Sequence, residues 1–171
     1  MRKIKFKGKR IDNKEWVYGY LYKLPLPNGE VYMILTQDNN HLDNRLEPKY
    51  HLAFTLWVDL FVVDPATISQ FTGLVDKNGK EIYERDILLW TRKNVHIEGH
   101  LLQDFSHKCI VYYDNDKCAF QFRCKLRYGA CVGYLDFDDE RADESFVEVI
   151  GNIHDNPELL EKGGNDESNV Y

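Results

Sequence analysis

The sequence lacks the short motifs that mark the common catalytic and cofactor sites. It has no Walker phosphate-binding loop, no dinucleotide-binding glycine pattern and no G-x-S-x-G nucleophile motif. It also has no run of about 18 apolar residues, so we expect no membrane-spanning helix and no membrane partner. The sequence therefore predicts no catalytic residue, no cofactor and no metal ligand.

Cysteine is scarce and poorly spaced for a metal site. The four residues are Cys109, Cys118, Cys124 and Cys131, and the absence of a C-x-x-C pair disfavours a zinc ribbon. No apolar segment follows the charged opening, so a secretory signal is not expected. Because disulfide bonds are rare in intracellular proteins, we expect four free thiols and a cytoplasmic location.

Methionine is also rare, whereas aromatic residues are abundant. The 171 residues include two Met but eleven Tyr, nine Phe and three Trp. Aromatic side chains suit the half-buried surfaces of sheets, so the composition predicts a mainly β protein. The length allows one domain or two small ones, since domains have about 100–200 residues.

Positive charge is concentrated at the start of an otherwise acidic chain. Residues 1–10 carry six Lys and Arg and no acid, whereas the whole chain has a net charge of −6. Lys3, Lys5, Lys7 and Lys9 alternate with apolar or small residues, which predicts a half-buried strand with a lysine face. Lysines protect edge strands from unwanted pairing, so we expect an edge strand whose lysines are solvated or bind a partner.

Apolar segments separated by turn residues predict the remaining elements. Residues 16–24 and 30–36 are expected to form a hairpin around a proline-bearing loop, and Asp64-Pro65 ends the apolar run 52–63. Further strands are expected at residues 87–91, 99–103, 110–113, 119–123, 126–135 and 146–150. Residues 114–117 are expected to form a four-residue hairpin loop between two of them. Asn156-Pro157 has the capping chemistry of a short C-terminal helix.

The clearest local pattern is residues 70–87, which read QFTGLVDKNGKEIYERDI. Asn78-Gly79 is the typical centre of a two-residue type I′ turn, which needs positive φ at both positions. We therefore expect a tight hairpin here, followed by a corner at Glu84-Arg85-Asp86 that leads into a new strand.

Three blocks of the sequence together resemble the YopX family of phage and prophage proteins. They are the basic opening MRKIKF, the hairpin segment just described and the segment VIGNIHDNPELL at residues 149–160. The family has a glycine where this chain has Arg85, which affects the expected corner geometry. The resemblance implies an SH3-like barrel in the C-terminal half, an origin in a mobile genetic element and a location in the bacterial host. It brings no catalytic residues and no established activity.

The expected fold is therefore mainly β, with a small SH3-like barrel in the C-terminal half and a short C-terminal helix. We expect three regions: an N-terminal β-rich region at residues 1–65, a barrel domain at 66–162 and a flexible tail at 163–171. The boundary follows from Asp64-Pro65 and from the resemblance.

Two groups of polar residues were weighed as metal sites. His96, Glu98 and His100 alternate and would share one face of a strand, but a zinc site needs a further converging ligand. The acidic residues of segment 136–144 lack the glycine-bearing spacing of a calcium loop. Both are interpreted as solvated polar residues, and Phe54, Trp57, Phe61, Tyr112, Phe120 and Phe122 as mostly core.

The sequence favours a non-enzymatic accessory protein that binds an unidentified macromolecule, such as another protein, or a second copy of itself. One alternative is a nucleic-acid-binding regulatory module that uses Lys3, Lys5, Lys7 and Lys9. A second alternative is a metal-dependent enzyme that uses the acidic segment 136–144. Tight binding of duplex DNA is not expected, because the acidic remainder of the chain repels it.

Overall fold

The computed structural model describes residues 3–37, 58–97, 100–101, 104–126, 129–134 and 142–161. It confirms a mainly β chain that divides into two compact units, Met1–Gln70 and Phe71–Tyr171. No helix in these ranges has the length and apolar character needed to cross a membrane. The predicted division into residues 1–65, 66–162 and 163–171 stays a prediction, and the tail 163–171 lies outside the described residues.

Twelve strands and one short helix are described. They are β1 Phe6–Lys9, β2 Trp16–Leu26, β3 Gly29–Gln37, β4 Val58–Val62, β5 Ser69–Val75, β6 Glu81–Tyr83, β7 Asp86–Ile97, β8 His100–Leu101, β9 Phe105–Asp114, β10 Ala119–Leu126, β11 Gly129–Tyr134, β12 Ala142–Asn152 and α1 Glu158–Glu161. The helix lies where the sequence predicted one. Strand β5 begins in the first unit and ends in the second.

The first unit is an antiparallel sheet with the order β4-β3-β2-β1. Its inner face carries the fully buried Ile34 and Val63. Gly19 allows this packing, because a Cβ at that position would collide with the carbonyl oxygen of Leu35. At one end, Arg10 forms an isolated bridge with Val63, so the first and fourth strands approach each other there.

The prediction that the lysine strand lies at a sheet edge is wrong. Strand β1 pairs with β2 on one side, and Phe6 and Lys7 pair with Gln70 and Ser69 of β5 on the other. Alternating lysines report which residues face the same side of a strand. The alternation of lysines does not show which strands form backbone hydrogen bonds with β1, so an edge position could not be deduced from it.

The second unit contains an antiparallel sheet with the order β11-β10-β9-β7-β12. One face of this sheet forms an apolar core around Leu88, Trp90, Val111 and Phe122. Trp90 packs against Phe122 with ring centroids 5.0 Å apart. The described strands do not close into a barrel, so the SH3-like barrel is not seen in them.

A disulfide bond joins Cys109 and Cys124 in this core, which corrects the prediction of four free thiols. The two residues are directly paired across β9 and β10, so their side chains meet on the buried face. Cys118, in the turn between these strands, is exposed and free. The predicted hairpin was right, but the pairing places Asp114 opposite Ala119 rather than inside the loop.

The hairpin at Asn78-Gly79 is not the predicted two-residue turn. Gly79 has positive φ at 81°, as expected, but Asn78 does not. The amide of Gly79 donates to the carbonyl of Asp76 at 2.9 Å, which gives a longer loop that closes with a left-handed glycine.

The Asp76 carboxylate explains the longer loop. It accepts hydrogen bonds from the amides of Asn78 at 2.8 Å, Lys80 at 2.9 Å and Val149 at 3.0 Å. Burial acts to raise the pKa of Asp76, but these three donors outweigh it and hold the pKa below its ordinary value. One side chain thus fixes the turn and ties it to β12.

Arg85 occupies the corner with φ of 65°, a left-handed conformation that is costly for a non-glycine residue. Its amide donates to the carbonyl of Val111 at 2.8 Å, and its carbonyl accepts from Ile153 at 3.1 Å. The Asp86 carboxylate accepts from the amide of Tyr83 at 2.8 Å. The corner keeps its geometry without the glycine, because backbone hydrogen bonds hold Arg85 in place.

We expect Arg85→Gly to be more stable than Arg85→Ala by about 0.5–1 kcal/mol. Both variants lose the arginine side chain, but only glycine removes the cost of about 1–2 kcal/mol for the left-handed conformation, less its own chain entropy. Chemical unfolding of the two variants measures the difference. Equal stability would show that φ at this corner is not strained.

We expect Asp76→Asn to lower the free energy of unfolding by about 2–4 kcal/mol at pH 7. An amide cannot accept from Val149 while it also accepts from the turn, and hydrogen bonds to a charged group are worth about 1.5–3 kcal/mol. A lowered folded-state pKa means stability that is present above the unfolded pKa of about 3.9 and lost as pH falls through the folded value. The gap between wild type and variant should therefore shrink below about pH 4. The exposed Asp116→Asn is the control and should change little.

We expect alkylation under denaturing, non-reducing conditions to modify Cys118 and to spare Cys109 and Cys124. Because these two are joined to each other, both should become reactive only after reduction. Peptide mapping by mass spectrometry provides the measurement. Modification of Cys109 before reduction would contradict the bond.

Candidate macromolecule-binding surface

The outer face of the first unit gathers lysine and aromatic side chains on neighbouring strands. Directly paired residues of antiparallel strands lie on the same side, and Lys7 pairs with Tyr18 and Lys9 with Trp16. The two-residue period of strands adds further residues to that side. We call this the lysine–tyrosine face, consisting of Lys5, Lys7, Lys9, Trp16, Tyr18, Tyr20 and Tyr22.

The lysines of this face lie over the rings of β2. The Nζ atom of Lys5 is 5.7 Å from the Tyr18 ring centroid, and those of Lys7 and Lys9 are 5.0 and 5.4 Å from the Trp16 centroid. These distances suit cation–π attraction. Lys7 is buried, at 6% exposure, so it holds Trp16 in place rather than meeting a partner.

The tyrosines of β2 are exposed. Tyr18, Tyr20 and Tyr22 have exposures of 46%, 53% and 52%. Within the described part of the chain, the hydroxyls and rings of Tyr20 and Tyr22 make no hydrogen bond, ring contact or cation contact. These two rings are thus available to a partner.

The apolar surface continues onto β3 and β4. Tyr20 pairs with Leu35, and Leu35 with Leu60, while Met33 pairs with both Tyr22 and Val62. Leu60 and Val62 are also about half exposed. Exposed apolar side chains that lie side by side across strands are typical of interaction surfaces.

No carboxylate occupies this side of β1–β4 among the described residues. Glu30 and Asp59 lie on the opposite side of the sheet, as their pairing with Pro25 and Thr36 shows. There, Glu30 forms an ion pair with Lys23 at 2.6 Å, and this bond lowers the pKa of Glu30. Among the described residues of β1–β4, the charged side chains on the side of the lysine–tyrosine face are therefore all positive.

The acidic excess of the chain lies in the second unit. Residues 1–70 have ten Lys and Arg against eight Asp and Glu, a net charge of +2. Residues 71–171 have twelve against twenty, a net charge of −8. Lysines and aromatic rings therefore occur together on β1 and β2, although the chain as a whole is acidic.

The sequence-based candidates differ in outcome. Lys5, Lys7 and Lys9 are brought together with aromatic rings, while Lys3 is exposed ahead of β1. Glu98 and residues 136–141 of the acidic segment lie outside the described residues. For residues 142–144 the structure describes the backbone but not the side chains. The described part of the chain contains no group of three or more metal-ligating residues.

His96 and His100 do not lie on one strand. The backbone turns between them, so that His96 pairs with Leu101 and Ile97 with His100 across β7 and β8. The alternation that suggested a shared face is therefore broken by a hairpin. The side chains of both histidines lie outside what the structure describes.

His107 lies two residues before Cys109 on β9, a spacing that places a histidine and a cysteine on one face of a strand. Cys109 is bonded to Cys124, so no thiolate is available there. Burial, and then the charge of Arg92, lowers the pKa of His107. Arg92 lies 3.1 Å from the His107 ring nitrogen and 4.7 Å from the Trp90 centroid, which fits a packing role for the neutral ring.

The aromatic residues expected in the core behave as a mixed set. Phe122 is buried and Phe120 packs against the core, Phe61 is half-buried, and the Tyr112 hydroxyl donates to Gln121 at 2.8 Å. Phe54 and Trp57 lie outside the described residues. The sequence reasoning missed Tyr18, Tyr20 and Tyr22, although the alternation in residues 16–22, WVYGYLY, is the pattern that places them on one face.

Comparisons with known proteins give a family but no activity. No curated protein matches the chain. A crystal structure of protein EF1440 from Enterococcus faecalis is 21% identical, with a match that covers 94% of this chain and 99% of that chain at a TM-score of 0.44. The family model described as YopX protein matches residues 5–161. The chain therefore belongs to the YopX family.

Proposed function

We propose that this chain is a non-enzymatic phage or prophage accessory protein that binds an anionic macromolecule through the lysine–tyrosine face. The observation that carries the proposal is the presence of lysines and half-exposed tyrosines on one side of β1 and β2, where no described strand residue is acidic. Lys5 and Lys9, which are half-buried, supply the positive charge.

Tyrosine and lysine complement each other on such a surface. Tyrosine offers a large contact area with little loss of side-chain freedom, and it is enriched at interfaces. Lysine lays its apolar stem along the rings and keeps its ammonium group towards water. A partner with regularly spaced negative groups would gain both contacts at once.

The charge of the second unit limits the choice of partner. Its net charge of −8 repels duplex DNA most strongly, because a duplex carries about twice the linear charge of a single strand, although salt screens this repulsion over about 8 Å at physiological ionic strength. Tight binding of duplex DNA therefore stays excluded from the proposal. A metal-dependent reaction in segment 136–144 gains no support from the described residues.

Three finer expectations belong to the proposal. The first is an SH3-like barrel in the C-terminal half, as the family resemblance implies. The cytoplasmic location is opposed by the bond between Cys109 and Cys124, because disulfides are rare in that compartment. Self-association through the basic strand would need a carboxylate surface on a second copy, and the lysine–tyrosine face itself offers none among its described residues.

We expect Lys5→Gln combined with Lys9→Gln to weaken binding of fluorescent polyphosphate and polyglutamate by at least about fivefold. Two exposed ion pairs together contribute about 1 kcal/mol, which corresponds to that factor. Fluorescence anisotropy at 0.05 and 0.2 M salt measures the affinity, which should fall with salt for the wild type.

The matched control is Lys14→Gln combined with Lys23→Gln. It removes the same charge from the same unit, and Lys23 also lies over a tyrosine ring, that of Tyr32, on the opposite side of the sheet. This control should bind within twofold of the wild type. Absence of binding to both polymers, or an equal loss in both variants, would overturn the proposal. Sedimentation of the wild type at both salt concentrations separates polymer binding from self-association.

A further inference from the structure

We infer that the macromolecule is single-stranded nucleic acid, whose bases stack on Tyr20 and Tyr22 while its phosphates follow β1. This inference rests on the proposed function and names its partner. Two features of the face support it: the spacing of the rings and the position of the lysines beside them.

The rings form a regular row. Alternate residues of a strand are about 6.6–6.8 Å apart and point to the same side, so the three tyrosines repeat along β2 at that interval. Tyr20 and Tyr22 are about half exposed, so one ring face or edge of each is open to a ligand. A row of flat, exposed rings fits a polymer of flat groups, and base–aromatic stacking tolerates any base sequence because every base has a π-face.

The lysines occupy the adjacent track. Strand β1 lies about 4.8 Å from β2, and Lys9 and Lys7 are paired with Trp16 and Tyr18. A nucleic-acid strand running along β2 would thus have its phosphates over β1, where Lys5 and Lys9 lie, and its bases over the tyrosines. Trp16 is covered by two ammonium groups and Tyr18 by one, so the bases stack on the next two rings of the row, Tyr20 and Tyr22.

Other partners fit this arrangement less well. An acidic peptide would satisfy the lysines but has no planar groups to match three evenly spaced rings. A second copy related by two-fold symmetry would present the same patch, so lysines would meet a face without described carboxylates. A duplex keeps its bases stacked inside, so that only phosphate contacts would remain.

The test compares two labelled 20-nucleotide strands with the same backbone, one of mixed base sequence and one abasic, at 0.1 M salt. We expect the strand with bases to bind at least 25-fold more tightly, because stacking contributes about five- to 140-fold per base and at least two rings are open. A 20-base-pair duplex should bind more weakly than the single strand.

The variant is Tyr20→Thr combined with Tyr22→Thr, which removes both rings and keeps high β-propensity. It should lose about 25-fold or more in affinity for the strand with bases and stay within twofold for the abasic strand. The control, Tyr20→Phe with Tyr22→Phe, retains the rings and should bind both strands like the wild type. Circular dichroism melting of each variant verifies that the chain is folded.

The outcomes separate this inference from the proposed function. Equal binding of both single strands, binding of polyglutamate alone, or unchanged affinity of the folded threonine variant would overturn the inference and leave anionic binding intact. Failure to bind any anionic polymer would overturn both. In the supporting case, Lys5→Gln with Lys9→Gln should also make the salt dependence shallower, by about 0.7 in log–log slope per lost phosphate contact.

Discussion

The register between β1 and β2 decides which side chains the first unit presents outside. Phe6 is paired with Gly19, and Lys7 with Tyr18, so lysines and tyrosines share one side while Ile34 and Val63 fill the other. A slip of one residue would reverse every side chain of β1 and bring its lysines to the apolar side. Burial of a charged group without a partner is costly. The register that packs the apolar side therefore also places the lysine–tyrosine face on the opposite side of the sheet. The pairing of β1 with β5 on its other edge adds a second constraint on the same register.

Local patterns in the sequence predicted much of this arrangement, and failures occurred where distant residues act. The alternating lysines predicted β1, and the proline-bearing hairpin predicted β2 and β3. Asn78 was assigned the wrong turn conformation because the Asp76 carboxylate, two residues earlier, caps the loop and also binds Val149. The bond between Cys109 and Cys124 was missed because free thiols were inferred from an expected cytoplasmic location. The predicted hairpin register would not have suggested the bond either. A loop of residues 114–117 would have paired Cys109 with Phe122, whereas the observed register pairs it with Cys124.

The tyrosine row was missed through a different error. Aromatic residues were interpreted as core because most large apolar side chains are buried, but nothing in composition separates a ring that faces inward from one that faces outward. Which residues of β2 face outward becomes clear only from the residues that they pair with on the neighbouring strands. Gly19 and Leu21 lie on the inner side of the sheet. The alternating residues Tyr18, Tyr20 and Tyr22 therefore lie on the outer side. The net charge was misleading too, because the total of −6 is the sum of +2 in the first unit and −8 in the second.

The Asp76 carboxylate also has a consequence for the order of events during synthesis. Two of its three donors, the amides of Asn78 and Lys80, are only a few residues away, but the third belongs to Val149, 73 residues later in the chain. A nascent chain emerges from the ribosome at about 5–20 residues per second, so the carboxylate waits several seconds for its last partner. During that interval the hairpin can form, but its buried anion is incompletely satisfied and β7 has no β12 beside it. The second unit therefore reaches its native state only after Val149 has been synthesised, and a ribosome that stops before Val149 releases a chain with an open sheet edge.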